Sequence, residues 1–546
     1  MKVSILSNIN LDPLKNQLRK LGFDDVYMAC YNQYMFELLQ EDSDLNTHAP
    51  QVAFFHLDGD EWLHLSLSAG TLKYDESQVR NFLMQLEKYA ETHPACHLIL
   101  SGVVLTSLTV LTHLNRNSRL SVSKIQESIN KKMENLARNH TNVHYLDFPG
   151  LVSQYGTNNL VDLKFWYLGR IKYTQTAFIQ LARLLHSQIN AINGRSRKVL
   201  ILDLDNTLWG GVVGEDGLQG IVLSEEGPGK VYRDFQQLLQ QLKATGVLLA
   251  LCSKNNESDA WEVLDKHPMM VLHRNDFVAH RINWNNKAEN IRSIANELDL
   301  GLDSFVFIDD NPVEREQIRQ FLPEVAVPEF PNVIELLNKW FVNEVVYTYF
   351  PKIALTKEDV QKTRQYQHNL ARKSLSNTLD LGAYIQSLNI RLTLFKDDTK
   401  FLARIAQLTQ KTNQFNLTTR RYSESDIDLF LTDPNHHVYA VDYTDRYGKE
   451  GIIAVAITKR TEKVIYLDTF LMSCRVIGRK VEHHILALIL DDLRAETTNL
   501  QIKADYLPTA KNTLVRTFFT QCGFDEQKGN QLPIETLMSN LNPYLQ

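Results

Sequence analysis

Between residues 199 and 308 short apolar runs alternate with helix-patterned stretches, and this alternation leaves few folds open. Residues 199–202 (Val-Leu-Ile-Leu) are all apolar and run straight into Asp203, as a strand buried on both faces does. Val231, Phe235, Leu238, Leu239 and Leu242 fall on one face of a helix that Gly246 stops. Residues 247–251 are patterned as the next strand and residues 269–272 as another. Ile291, Ile294 and Leu298 then mark a helix ahead of a strand at residues 305–308. Strand and helix in this order specify a doubly wound α/β sheet, whose site forms at the C-terminal ends of its strands.

Chemistry-bearing residues stand at those strand ends. The first run continues as Asp203-Leu204-Asp205-Asn206-Thr207. Two carboxylates two residues apart, just beyond a strand, can point into one crevice. One can attack phosphorus while the other protonates the leaving oxygen and later activates water. The run 305–308 ends in Asp309-Asp310, which adds the negative charge that holds Mg²⁺ through oxygen ligands. The second run ends in Cys252-Ser253-Lys254-Asn255, where Ser253 can donate a hydrogen bond to a transferring phosphoryl group. Lys287, ahead of the helix that leads to the 305–308 strand, can offset negative charge. Taken singly, each has a bland explanation: a polar strand end, a solvated turn, a surface lysine. Together and in order at successive strand ends, they meet the needs of phosphoryl transfer: an in-line nucleophile, a metal and fixed cations.

The stretches DLDNTLWGG, CSKNN, NNKAENI and FIDDNPVERE resemble the haloacid-dehalogenase superfamily. The resemblance implies Asp203 as nucleophile forming an aspartyl-phosphate, Asp205 as general acid/base, and Ser253 and Lys287 as phosphate binders. It implies Mg²⁺ on the Asp203 side chain, the Asp205 backbone carbonyl and Asp309, with Asp310 as an outer or alternative ligand. Thr207, Lys254 and Asn255 lie in the same motifs as further phosphate- or substrate-binding candidates. The segment between the first two motifs is too short for a large cap domain, so the site is expected to be open to a substrate presented by another protein.

The longer stretch DLDNTLWGGVVGEDG is similar to the FkbH-like (HAD-IIIC) branch, as are LTKEDVQKTRQY, QLTQKTNQFNLTTRRYS, DRYGKEGIIAVA and FLMSCRVIGRKVE. That resemblance implies loading of a three-carbon unit from 1,3-bisphosphoglycerate onto an acyl carrier protein, with release of phosphate. The partners would be a phosphorylated small-molecule donor and the carrier's phosphopantetheine arm. A thiol must accept the glyceryl group, and Cys252 and Cys474 are the candidates. Strand alternation points Cys252 into the core, whereas Arg475, Arg479 and Lys480 flank Cys474 and can activate it.

The last third is patterned as strands at residues 438–442, 451–458 and 463–470, followed by a helix at 481–493. AKNTLVRTFFTQCGF resembles the closing helix and turn of the GCN5-related acetyltransferase (GNAT) fold. Residues 475–480 then occupy the place of its pyrophosphate loop, with Arg475, Gly478 and Arg479 as phosphate-binding candidates. Lys480 stands where that fold has a small residue, which crowds coenzyme A but still admits a carrier-borne phosphopantetheine. Residues 411–421 add Lys411, Arg420 and Arg421.

The first third, with strand-like runs at 2–6, 52–57, 97–100 and 143–148, resembles an SGNH-hydrolase-like α/β domain with Ser7 at the nucleophile's place. That family closes with Asp-x-x-His; here the segment is Asp162-Leu-Lys-Phe165, so a non-catalytic domain is expected.

A chain of 546 residues is too long for one core. Polar seams at 186–198 and 345–357, the second opening a helix with Thr356-x-x-Asp359, divide it into domains at 1–190, 198–345 and 350–546. Together these give a multidomain α/β fold: SGNH-like, HAD-like and GNAT-like. Net charge is −6 with no Lys/Arg-rich run, which argues against nucleic acid or an anionic membrane as partner. Five scattered cysteines without a CxxC pair argue against a disulfide framework and structural zinc. With no signal-peptide pattern and no membrane-spanning run, a cytoplasmic location is expected. Two other functions stay open: a phosphatase with a fused acyltransferase acting on a sugar or small acyl phosphate, and a non-catalytic binding module.

Overall fold

The computed structural model describes all residues except 69–70, 107–120, 357–358, 360–361, 364, 367–380, 462–463, 497–500, 526, 528 and 546. The chain forms two compact units, Met1–Asn190 with Glu424–Asp428, and Ala191–Ser423 with Leu429–Gln546.

The first unit is built on five parallel strands: β1 (Lys2–Ser7), β2 (Asp25–Met28), β3 (Val52–His56), β4 (His97–Ser101) and β5 (Val143–Leu146). Their spatial order is β2-β1-β3-β4-β5. All five residues of β3 are buried, as expected of a central strand covered by helices on both faces. The sequence pattern missed β2, a short edge strand with one fully buried residue.

The second unit holds two sheets. The first is parallel, with β6 (Val199–Leu202), β7 (Leu248–Ser253), β8 (Phe277–Ile282) and β9 (Phe305–Ile308) in the order β8-β7-β6-β9. Its two faces feed separate cores. Leu200, Leu202, Leu249 and Leu251 pack to one side; Val199, Ile201, Leu248, Ala250 and Cys252 pack to the other. Cys252 is therefore a core residue, as its alternation implied. The helix Gly227–Ala244 covers the first face, and the helix Lys287–Leu298 covers the second.

Residues 269–272 do not form the expected strand. Met270 and Leu272 are buried in the core from an irregular segment. The third strand in chain order is instead β8, whose exposed His280 reflects its place at the sheet's edge. An edge strand lacks the continuous apolar run of a central one, so it is hidden from a hydrophobic pattern.

The other sheet is mixed and comprises β10 (Arg391–Lys396), β11 (Phe415–Asn416), β12 (His436–Asp445), β13 (Gly448–Arg460), β14 (Val464–Met472), β15 (Gln501–Ala504) and β16 (Gln531–Pro533). The order is β10-β12-β13-β14-β15-β16, with β11 also on β14. Only the β14–β15 pairing is parallel. The helix Glu482–Glu496 covers this sheet through Ile485, Leu486, Ile489 and Leu490. The fold is thus multidomain α/β, with two parallel sheets and a mixed carboxy-terminal one.

Both sequence seams carry local structure. The helix Gln175–Ile192 runs through half of the first, leaving only residues 193–198 irregular. At the second, the Thr356 hydroxyl accepts from the Asp359 N–H at 3.2 Å. The Thr356 N–H and hydroxyl donate to Asp359 Oδ2 at 3.2 and 3.0 Å, the reciprocal bonding of a capping box. Among the described residues no helix is long and apolar enough to cross a membrane.

Candidate active site

The parallel sheet of the second unit brings four chain segments to one edge. Asp203 follows β6, Ser253 ends β7 and Asp309 follows β9. Lys287 opens the helix Lys287–Leu298, capped by Asn286, whose Oδ1 accepts from the Ala288 N–H at 2.7 Å. A cation in a helix's first turn opposes the helix dipole, so this lysine is held by something stronger. Its Nζ lies 2.5 Å from Asp309 Oδ2 and 3.0 Å from Asp203 Oδ1, and all three side chains are buried. Burial alone would push the ammonium's pKa down, but the two carboxylates outweigh it and hold it above its ordinary value.

The second aspartate is fixed differently. Asn206 takes a left-handed conformation (φ 53°), turning the chain just past the strand. Asp205 Oδ1 accepts from Trp209 Nε1 at 2.9 Å and from the Val213 N–H at 3.1 Å. Its Oδ2 accepts from Asn255 Nδ2 at 2.8 Å. Three donors from three places orient this carboxyl, as an acid/base group requires. Of these, Trp209 and Val213 lie inside the DLDNTLWGGVVGEDG stretch, but the sequence alone does not single them out as site residues. Asn255, expected to bind substrate, serves here to position Asp205.

Asp203, Asp309 and Asp310 bring carboxylate oxygens within 4.8 Å of one another, the all-oxygen donor set a hard divalent cation takes. Two further observations fit a cation and a phosphoryl group. Asp203 Oδ1 is buried, within ion-pair range of Lys287 yet without a hydrogen bond. The Thr207 hydroxyl is buried with no hydrogen-bond partner among the described residues. Burial, reinforced by the facing Asp203 carboxylate, pushes Asp309 up to about 7 and Asp310 up to about 6. Both values mark carboxylates crowded together in want of positive charge.

The acidic pair is itself braced. The Asn311 N–H donates to Asp309 Oδ1 at 2.9 Å. Arg315 Nη1 donates to the carbonyls of Asp309 and Asp310 at 2.9 and 2.7 Å. Ser253 is buried at the end of β7, and its carbonyl accepts from the Asn283 N–H. Lys254, expected to meet phosphate, is engaged by Glu314 Oε1 at 2.6 Å.

The remaining candidates lie elsewhere. Cys474 sits in a short 3₁₀ turn and packs against the core of the parallel sheet. It lines a cavity walled also by Lys198 and Ser304, which precede β6 and β9. That is the opposite edge of the sheet from Asp203, about 16 Å away along five residues of strand. The structure therefore does not bring Cys474 to the Asp203 centre. Arg475 faces Glu450 Oε2 at 3.4 Å and also bonds Gln365. Arg479 faces Asp445 Oδ2 at 3.6 Å and lies over the Tyr443 ring. Both guanidiniums are matched by buried carboxylates. Gly478 is exposed with φ 83°. Arg420 pairs with Asp468, and Arg421 Nη1 donates to the Thr409 carbonyl at 3.0 Å.

In the first unit, Ser7 is buried, and its hydroxyl accepts from the Ile9 N–H at 3.1 Å. Asp162 Oδ1 caps a helix through the Phe165 N–H. The polar cluster beyond β3 is instead an ion triad, with Lys172 Nζ 2.6 Å from both Asp58 and Asp60.

No family model matches the chain, and no curated protein matches it. Among solved structures, it is similar to the N-terminal part of the protein BF1531 from Bacteroides fragilis, which contains a phosphatase domain and is complexed with Mg. The similarity covers 65% of this chain and 95% of that one, at 27% identity and a TM-score of 0.58. A second structure, Ard1 from Thermoplasma volcanium, is similar over 24% of this chain and 82% of its own, at 16% identity. Its TM-score of 0.20 is too slight a superposition to carry an argument. The parallel-sheet domain thus resembles a phosphatase domain crystallised with Mg, and its Asp203, Asp309 and Asp310 carboxylates form a set fit to hold a divalent cation, in a chain that also carries a mixed α/β domain.

Proposed function

We propose that this chain is a magnesium-dependent glyceryltransferase/phosphatase. It would load a three-carbon unit from 1,3-bisphosphoglycerate onto an acyl carrier protein. The observation that carries the phosphoryl-transfer half is the buried Asp203–Lys287–Asp309 arrangement beside a fully oriented Asp205. Asp203 attacks phosphorus, forming an aspartyl-phosphate as the bond to the leaving oxygen breaks. Asp205 gives that oxygen its proton, then takes one from the water that hydrolyses the aspartyl-phosphate. Lys287 holds the Asp203 carboxylate in place and offsets charge on the phosphoryl oxygens. A magnesium ion held by Asp203, Asp309 and Asp310 supplies further charge neutralisation when bound.

The acyl half rests on the sequence resemblance and on Cys474. Its thiolate would attack the acyl-phosphate carbonyl, forming a thioester as inorganic phosphate leaves. With the thiol in a cavity at the opposite end of the strands from the Asp203 centre, dephosphorylation and acyl capture are separate events, and a flexible phosphopantetheine arm is what could connect them.

The test is intact-mass spectrometry of a holo acyl carrier protein incubated with the enzyme, Mg²⁺ and freshly generated 1,3-bisphosphoglycerate. A glyceryl increment that disappears with Cys474→Ser supports loading through this thiol. Phosphate release with no increment would reduce the function to a phosphatase acting on a sugar or small acyl phosphate. Neither phosphate release nor an increment would leave a binding module.

A further inference from the structure

The cavity of about 330 Å³ at the opposite edge of the parallel sheet differs in wall chemistry from the carboxylate centre. Lys198, Lys362 and two cations of the helix Leu402–Lys411, Arg404 and Lys411, reach it. Its lining carboxylates are already occupied. Asp359 Oδ1 takes Lys352 Nζ at 3.1 Å, and Gln407 Nε2 reaches both its oxygens at 3.1 and 3.0 Å. Asp303 is taken by Lys511, and Asp299 also has a partner. Among the described residues neither Lys198 nor Lys411 makes an ion pair. The Lys198 ammonium donates to the Lys411 carbonyl at 3.4 Å.

The cations are close enough to disturb one another. Burial, then repulsion from Lys352, pushes Lys411 down to about 7. Burial, then repulsion from Lys411, pushes Lys362 well below its usual value. An anion in the cavity would restore their charge, since hydrogen bonds from ammonium to phosphate are among the stronger ones. At roughly 30 Å³ per water-sized volume, the space exceeds a bare phosphate and admits a small organic group attached to it.

We propose that this cavity binds a phosphate dianion, free or as the head of a small organic monoester, at a site separate from the Asp203 centre. The site does not depend on the carrier-loading proposal, since it needs neither Asp203 nor a metal. Ser473 and Cys474 form part of its wall, so a bound anion covers the thiol.

Isothermal titration with inorganic phosphate and with glycerol 3-phosphate, in EDTA, tests it. Wild type and Asp203→Asn are expected to bind both anions alike. Lys411→Met and Lys198→Met are expected to bind about tenfold or more weakly, and Lys411→Arg to retain binding. Tighter binding of the monoester would show that the organic group is recognised too, and equal binding that phosphate alone is; both support the site. A second readout does not rely on mutating a lysine: phosphate is expected to slow alkylation of Cys474, followed by peptide mass spectrometry. Binding lost in Asp203→Asn but unchanged in the lysine variants would overturn the proposal, as would absence of binding together with unprotected Cys474.

Discussion

Lys287 Nζ stands between two buried carboxylates, 2.5 Å from Asp309 and 3.0 Å from Asp203. It joins the strand end that carries Asp203, the proposed nucleophile, to the one that carries Asp309. Removing it leaves both carboxylates to face each other uncompensated. Lys287→Met is expected to lower kcat for an aryl phosphate by roughly 10²–10³-fold. It is also expected to destabilise the metal-free protein by about 3 kcal/mol, part of which saturating Mg²⁺ restores. Steady-state kinetics and urea unfolding with and without Mg²⁺ check both.

The acidic pair gives a pH dependence. Asp309, pushed up to about 7, and Asp310, up to about 6, stay protonated in the metal-free folded protein at pH values where the unfolded chain has already released its protons. Their contribution to stability is therefore present at low pH and lost as pH rises from about 4 to about 7. Mg²⁺ binds the ionised form, so its stabilising effect grows over the same interval. Thermal melts in EDTA and in saturating Mg²⁺ should diverge as pH rises; parallel curves would contradict this account.

Asp205 depends on its donors. Trp209→Phe removes the 2.9 Å hydrogen bond to Oδ1 and keeps most of the ring's packing. The expected result is about a tenfold fall in kcat with KM little changed. Lys254→Ala, by contrast, removes a half-exposed cation already paired with Glu314, and kcat should change by less than about threefold.

Much of this centre was legible because its residues follow buried strands. Asp203 and Asp309 each end an all-apolar run, so sequence position alone put them on one edge. Direction was harder to see. Arg475 and Arg479 flank Cys474 in sequence, yet the 3₁₀ turn sends one toward Glu450 and the other toward Asp445. Lys254 is adjacent to Ser253, but its partner Glu314 lies on the helix after β9. The strand β8 was misplaced because its edge position lets polar residues interrupt the pattern. That Cys474 and Asp203 occupy opposite edges of one sheet follows from packing between two sheets, which no local motif encodes.

The first unit offers a separate check. Lys172 bridges Asp58 and Asp60 in a buried triad. Lys172→Met is expected to cost about 3–5 kcal/mol by leaving two buried carboxylates without a cation. Ser7→Ala should leave any hydrolysis of short aryl esters unchanged, because Phe165 stands where a triad would supply the histidine base. Urea unfolding and an esterase assay measure the two effects.

The central claim, phosphoryl transfer through Asp203 with magnesium, is tested most directly by hydrolysis of a generic aryl phosphate. Wild type and Asp203→Asn would be compared with Mg²⁺ and with EDTA. The account predicts turnover by wild type with Mg²⁺ alone, and none by Asp203→Asn although its melting curve shows it folded. Equal turnover by the two proteins, or turnover indifferent to Mg²⁺, would contradict it.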